Sequence, residues 1–154
     1  MDPAPPRQPH PPPRRILIVE DEPAVAEVAE RALKSAGYAV LGPVSSEHEA
    51  LLAVGRERPD LALLDICLKR GGDGVRLAKL LHDHWRIPVL FVSGSPEMAS
   101  RGRAFALGIV QKPYSLRSLV DSVRFCEECV AGTAGEPPGA LTLFPGARRF
   151  PRSG

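Results

Sequence analysis

The chain has 154 residues, 44% of them hydrophobic and 25% charged, with a formal net charge of +2. That length suits one domain, and the composition excludes both wholesale disorder and a disulfide-dense miniature fold. The charge is local, with Arg7, Arg14 and Arg15 near one end and Arg148, Arg149 and Arg152 near the other, so the middle lacks the basic face that a nucleic-acid partner needs.

Residues 1–13 hold seven of the seventeen prolines and read as an extended, disordered arm. From Arg15 onward, five short apolar runs alternate with segments of helical period. The first run, Ile16-Leu17-Ile18-Val19, precedes a helix with Pro23 in its first turn, Val25, Val28, Ala29 and Leu33 facing inward, and Gly37 as its stop. The second, Tyr38-Ala39-Val40-Leu41, leads to a helix opened by the Ser46/Glu49 capping box and carrying Leu51, Leu52 and Val54. The third, Leu61-Ala62-Leu63-Leu64, ends on Asp65, and Val75, Leu77, Leu80 and Leu81 mark the helix after it. Pro88 introduces the fourth, Val89-Leu90-Phe91-Val92, which ends at Ser93-Gly94-Ser95. The fifth is only Ile109-Val110-Gln111, followed by Lys112-Pro113 and a helix capped by Ser115, with Leu116, Leu119, Val120 and Val123 as its stripe and Phe125 on the other side.

Continuous apolar strands interleaved with helices indicate a doubly wound, five-stranded parallel sheet covered on both faces, over residues 14–131. Residues 132–154 form a Gly/Pro/Arg-rich tail, read as a floppy one, although Leu141-Thr142-Leu143-Phe144 and Phe150 give it enough apolar surface to dock. Those roughly twenty residues are too few to fold as an output domain. No apolar run approaches the roughly 18–20 residues of a membrane span, and the first residues have neither the basic start nor the apolar stretch of a signal peptide. Three cysteines, Cys67, Cys126 and Cys129, make no disulfide framework. A soluble cytoplasmic protein without a membrane partner is the expectation.

In open parallel sheets, ligands bind beyond the carboxyl ends of the strands. Those ends here carry Glu20 and Asp21, Asp65, Ser93 and Lys112. Three close carboxylates repel one another, and a hard divalent cation such as Mg2+ relieves them. Asp65, at the end of a central apolar strand, is the natural nucleophile toward phosphorus. Lys112 and the metal would neutralise phosphoryl oxygens, and Ser93 would donate a hydrogen bond to one.

The stretches Ile16-Leu17-Ile18-Val19-Glu20-Asp21-Glu22-Pro23, Pro59-Asp60-Leu61-Ala62-Leu63-Leu64-Asp65, Pro88-Val89-Leu90-Phe91-Val92-Ser93-Gly94 and Lys112-Pro113-Tyr114 together resemble a response-regulator receiver domain of two-component signalling, the flavodoxin-like fold of CheY-like proteins. The resemblance implies a phosphoacceptor rather than an enzyme. Glu20 and Asp21 would hold magnesium with Asp65 and the backbone carbonyl of Cys67, Asp65 would take phosphate from a histidine kinase or phosphotransfer protein, Ser93 would sense it and Lys112 would pair with it. Cys67 and Ser95 would occupy the two positions that tune phosphoryl lifetime. The signal would leave through contacts with a downstream protein, and a homodimer is a further option. The segment between Ser93 and Lys112 is short, and Ile109 stands where an aromatic switch residue is usual. Both features are similar to an atypical subgroup of alphaproteobacterial signalling, often served by a distinct class of histidine kinases. Rearrangement of residues 94–108 would then carry the switch, with an output surface around Arg103, Ile109, Gln111 and Tyr114.

Other readings are less well supported. A haloacid-dehalogenase-type phosphatase needs a second carboxylate two residues after the nucleophile, where Cys67 stands. A flavodoxin-type site needs a phosphate loop where Glu20-Asp21-Glu22 would repel phosphate. A degenerate receiver acting as a phosphorylation-independent binding module remains an alternative. Cys126-Glu127-Glu128-Cys129 has a zinc or redox spacing without a second ligand pair, and reads instead as two packed cysteines one helical turn apart.

Overall fold

A computed structural model of the chain describes residues 14–68 and 72–146. The expected proline-rich arm and Phe150 lie outside these residues. The elements run β1 (Arg15–Val19), α1 (Pro23–Ser35), β2 (Ala39–Val44), α2 (Glu47–Arg56), β3 (Leu61–Asp65), α3 (Gly74–Trp85), β4 (Val89–Ser93), α4 (Pro96–Ser100), β5 (Gly108–Gln111), α5 (Leu116–Ala131) and β6 (Leu141–Leu143). Their sheet order is β2-β1-β3-β4-β5-β6. Neighbours from β2 to β5 pair in parallel.

Because successive strand residues point to opposite faces, the apolar runs feed two cores. Ile16 and Ile18 join Ala29 and Leu33 of α1 and Leu119 and Val123 of α5 on one face. Leu17 and Val19 join Ala50 and Val54 of α2 and Leu77, Ala78 and Leu81 of α3 on the other. Caps explain where the helices begin. Ser46 Oγ accepts from Glu49 N–H at 3.2 Å, while Glu49 Oε2 accepts from Ser45 N–H at 2.9 Å, one residue earlier than a reciprocal box would place it. Ser115 Oγ accepts from Ser118 N–H at 3.0 Å.

The structure corrects the sequence reading in three places. The sheet has a sixth strand, β6, antiparallel to β5, so residues 141–143 of the tail are part of it. Val28 is 46% exposed, because the inward stripe of α1 is Ala26, Ala29 and Leu33 and a neighbour one residue off turns away by about 100°. Along α5 the buried set is Leu119, Ser122, Val123, Phe125, Cys126 and Cys129, a stripe turned by about a quarter turn from the expected one. Leu116 is therefore exposed, and Phe125 lies in the same cluster as Leu141 and the half-buried Ala134 of the tail. Cys126 and Cys129 pack in that cluster too, and burial pushes the Cys126 thiol pKa up.

Among the described residues no helix is long and apolar enough to cross a membrane.

Candidate functional site

The strand order reverses at β1, which has β2 on one side and β3 on the other. A crevice opens at the carboxyl ends of strands flanking such a reversal. Glu20 and Asp21 follow β1 and Asp65 ends β3, so chain connectivity alone brings the three carboxylates together. One oxygen of each lies within 4.8 Å of the others. Glu20 and Asp65 are 6% and 7% exposed, each directly after a buried apolar run, Ile16–Val19 and Leu61–Leu64.

Lys112 completes the cluster. Its backbone N–H donates to the carbonyl of Ser93 at 2.9 Å, extending the β4–β5 ladder past Gln111. The ammonium then reaches across, donating to Asp65 Oδ2 at 3.1 Å and to Glu20 Oε2 at 3.3 Å. The other oxygens are held by backbone: Asp65 Oδ1 accepts from Cys67 N–H at 3.0 Å, and Glu20 Oε1 from Glu22 N–H at 3.3 Å. Asp65 is thus fixed from both sides in one orientation. Ser93, 2% exposed, turns its hydroxyl toward its own loop and accepts from Ser95 N–H at 3.0 Å.

The electrostatics are those of an overcrowded acidic site. Burial, and then the hydrogen bond and charge of Asp65, push the Glu20 pKa up to about 7 despite the opposing effect of Lys112. For Lys112, burial disfavours the charge, but Asp65 and Glu20 outweigh it and hold the pKa above its ordinary value. Hard carboxylate oxygens in this number suit magnesium, which accepts a few protein oxygens and fills the rest of its shell with water and phosphate. Glu20, Asp21 and Asp65 would hold it. When bound, the ion would supply positive charge to phosphoryl oxygens.

All five side chains expected from the sequence therefore meet at one edge. Cys67 is present through its backbone, while its thiol is exposed and lies 3.9 Å from the Met98 thioether at the mouth of the site. No motif in the sequence marks Met98. The expected output surface is only partly a surface: Arg103 and Gln111 are exposed and Tyr114 half-buried, but Ile109 is buried beneath the α4 side of the sheet.

Comparison with known proteins bears on the fold and the family. The model of the response regulator receiver domain matches residues 16–124. A CheY-like response regulator receiver domain protein from Methanospirillum hungatei JF-1 is 28% identical, with 75% of this chain and 94% of that one covered at a TM-score of 0.69. The signal receiver domain of a modulated diguanylate cyclase from Desulfovibrio desulfuricans G20 is 33% identical, covering 73% and 91% at 0.66. The chemotaxis response regulator CheY4 of Vibrio cholerae, at 24% identity, covers 73% and 97% at 0.66 and shares the fold.

Proposed function

Since the chain belongs to the response regulator receiver family, we propose that it is a phosphoacceptor of a histidine-to-aspartate relay, with Asp65 as the acceptor. The observation that carries this reading is the position of Lys112, whose one ammonium bonds both Asp65 and Glu20 at the carboxyl edge of the sheet. A lysine placed only to neutralise surface acids has no need of two buried carboxylates on different strands.

In the proposed transfer a carboxylate oxygen of Asp65 attacks phosphorus, the new O–P bond forms, and the P–N bond of a donor phosphohistidine breaks with the imidazole as leaving group. Lys112 balances charge on the transferred group, Cys67 N–H keeps the carboxylate oriented, and Ser93 exchanges its bond with Ser95 for one to a phosphoryl oxygen. Glu20, Asp21 and Asp65, with the carbonyl of Cys67, would hold a magnesium ion, which would supply positive charge to the phosphoryl oxygens. No separate substrate is turned over, so the protein is a self-modifying acceptor rather than an enzyme, working in the cytoplasm where histidine kinases deliver phosphate.

A protein donor fits the surroundings. The groove beside Lys112 is lined by Val25, Val28, Pro113, Tyr114 and Leu116, and Val28 and Leu116 are both large and exposed. The test is mass spectrometry after incubation with acetyl phosphate and magnesium. A hydroxylamine-sensitive gain of one phosphoryl group is expected, lost in Asp65→Asn, in Asp21→Ala and in excess chelator. An adduct persisting in Asp65→Asn refutes the assignment, and no adduct from either acetyl phosphate or a kinase leaves only the phosphorylation-independent binding module.

A further inference from the structure

Helix α4 has five residues, too short to cover the sheet beside it, and the tail supplies the missing cover. Phe144 is 9% exposed and meets Phe91 of β4 edge to face, with ring centroids 6.4 Å apart and planes at 63°. Leu141 is buried on the opposite face, in the cluster of α5, so the short strand is anchored on both sides of the sheet. β5 is prepared for it at one position. A Cβ on Gly108 would collide with the carbonyl oxygen of Thr142 and lie 3.2 Å from Leu143 Cα, so only glycine admits this close approach.

Phe91 has a second neighbour. A Cβ on Gly102, in the turn after α4, would lie 2.7 Å from Cε2 and Cζ of the same ring. The turn and the tail therefore grip one side chain from two directions. Two residues past Phe91, the Ser93 hydroxyl accepts from Ser95 N–H, and the Ser95 hydroxyl accepts from Met98 N–H at 3.4 Å in the first turn of α4. A continuous packed path thus runs from the Asp65 site through residues 93–102 to Phe91 and Phe144.

We propose that residues 141–144 are a latch on the switch segment. Seated, the latch holds residues 94–107 in the arrangement in which Ser93 bonds its own loop; a phosphoryl group on Asp65 that draws Ser93 away loosens it. This rests on the phosphoacceptor reading, and linkage makes it reciprocal: whatever unseats the latch favours phosphorylation.

The test uses the full chain with magnesium and beryllium fluoride, a mimic of an aspartyl phosphate, with fluorine NMR reporting whether the site is filled. On filling, amide exchange over residues 141–144 is expected to quicken about fivefold or more, including the Phe144 amide that donates to the Leu107 carbonyl at 2.9 Å. Gly108→Ala and Phe144→Ala unseat the strand without touching the carboxylates, and each should speed labelling by acetyl phosphate by a similar factor at unchanged magnesium affinity. Exchange in β1 and β3 identifies variants that stay folded, and the wild-type measurement needs none. A filled site with unchanged exchange over 141–144 overturns the latch and leaves the phosphoacceptor reading standing. A site that never fills overturns both.

Discussion

Phe144→Ala tests whether the tail contributes to the stability of the domain. The ring is nine-tenths buried between the α4 side of the sheet and Phe91, and truncating a buried phenylalanine to alanine costs about 3–5 kcal/mol when the surroundings cannot collapse. The edge-to-face pair accounts for about 0.5–1.5 kcal/mol beyond the area buried. The loss has a ceiling, however. Residues 133–146 join the domain covalently only through α5, so a weakened tail can leave the sheet by itself, and the domain cannot lose more than the free energy of seating. Phe144→Ala should therefore cost about 1–3 kcal/mol, with the free energy of seating as its ceiling, and Leu141→Ala about 1–3 kcal/mol by the same reasoning. The double variant should cost much less than the sum. Urea titrations with wild-type, both single variants and the double variant give these values, and the slope of each transition reports whether surface already exposed in the variant no longer appears on unfolding. A loss below about 1 kcal/mol for Phe144→Ala, or full additivity in the double variant, would refute the picture of a seated and separable strand.

In chelator, the Glu20 pKa of about 7 against 4.5 for a free glutamate means that the folded state binds more protons than the unfolded state between those values. Stability then falls as pH rises through that window, by about 3 kcal/mol, and Glu20→Gln should remove the fall in urea titrations at the two ends of the window. Magnesium should raise the melting temperature in proportion to the logarithm of its concentration above saturation, an effect that calorimetric scans should find missing in Asp21→Ala. Lys112→Ala removes a cation that competes for Glu20 and Asp65, so isothermal calorimetry should show tighter magnesium binding, while the quickened amide exchange of residues 141–144 on filling of the site is lost. Burial and the nearby Glu127 push Tyr38 up to about 12, and burial raises Tyr114 as well. Fewer than half of the two tyrosines should be ionised at pH 10 by tyrosinate absorbance, against about half in urea.

The site was legible in the sequence because strand ends in a parallel sheet are fixed points. Once the runs ending at Val19, Leu64, Val92 and Gln111 are read as parallel neighbours, Glu20, Asp21, Asp65, Ser93 and Lys112 have nowhere to go but one edge. The side-chain details were less accessible. Val28 and Leu116 look like core residues in a helical stripe, and only the rotation of α1 and α5 against the sheet decides that they face solvent. The strand β6 was hidden for a different reason. Three residues between glycines and prolines have no periodicity to read, and their structure depends on partners far off in sequence: the open edge of β5, the glycine at 108 and the gap left by a short α4. Met98 comes within reach of the Cys67 thiol from that same short helix.

The two margins of the sheet also bear on how the chain behaves when it is abundant. An exposed edge strand invites pairing with another molecule and, from there, aggregation. At one margin β2 carries Pro43, which has no N–H to offer, beside Gly42, and its pairing with β1 shifts register there. At the other, β6 ends the sheet after three residues, too few to template a long pairing, and hides the apolar Gly108–Val110 stretch behind it. Expression of a chain ending before Leu141 should accordingly bare a hydrophobic β5 edge and shift the product toward inclusion bodies, so the last strand also acts as a solubility guard that any shortened version of this protein would lack.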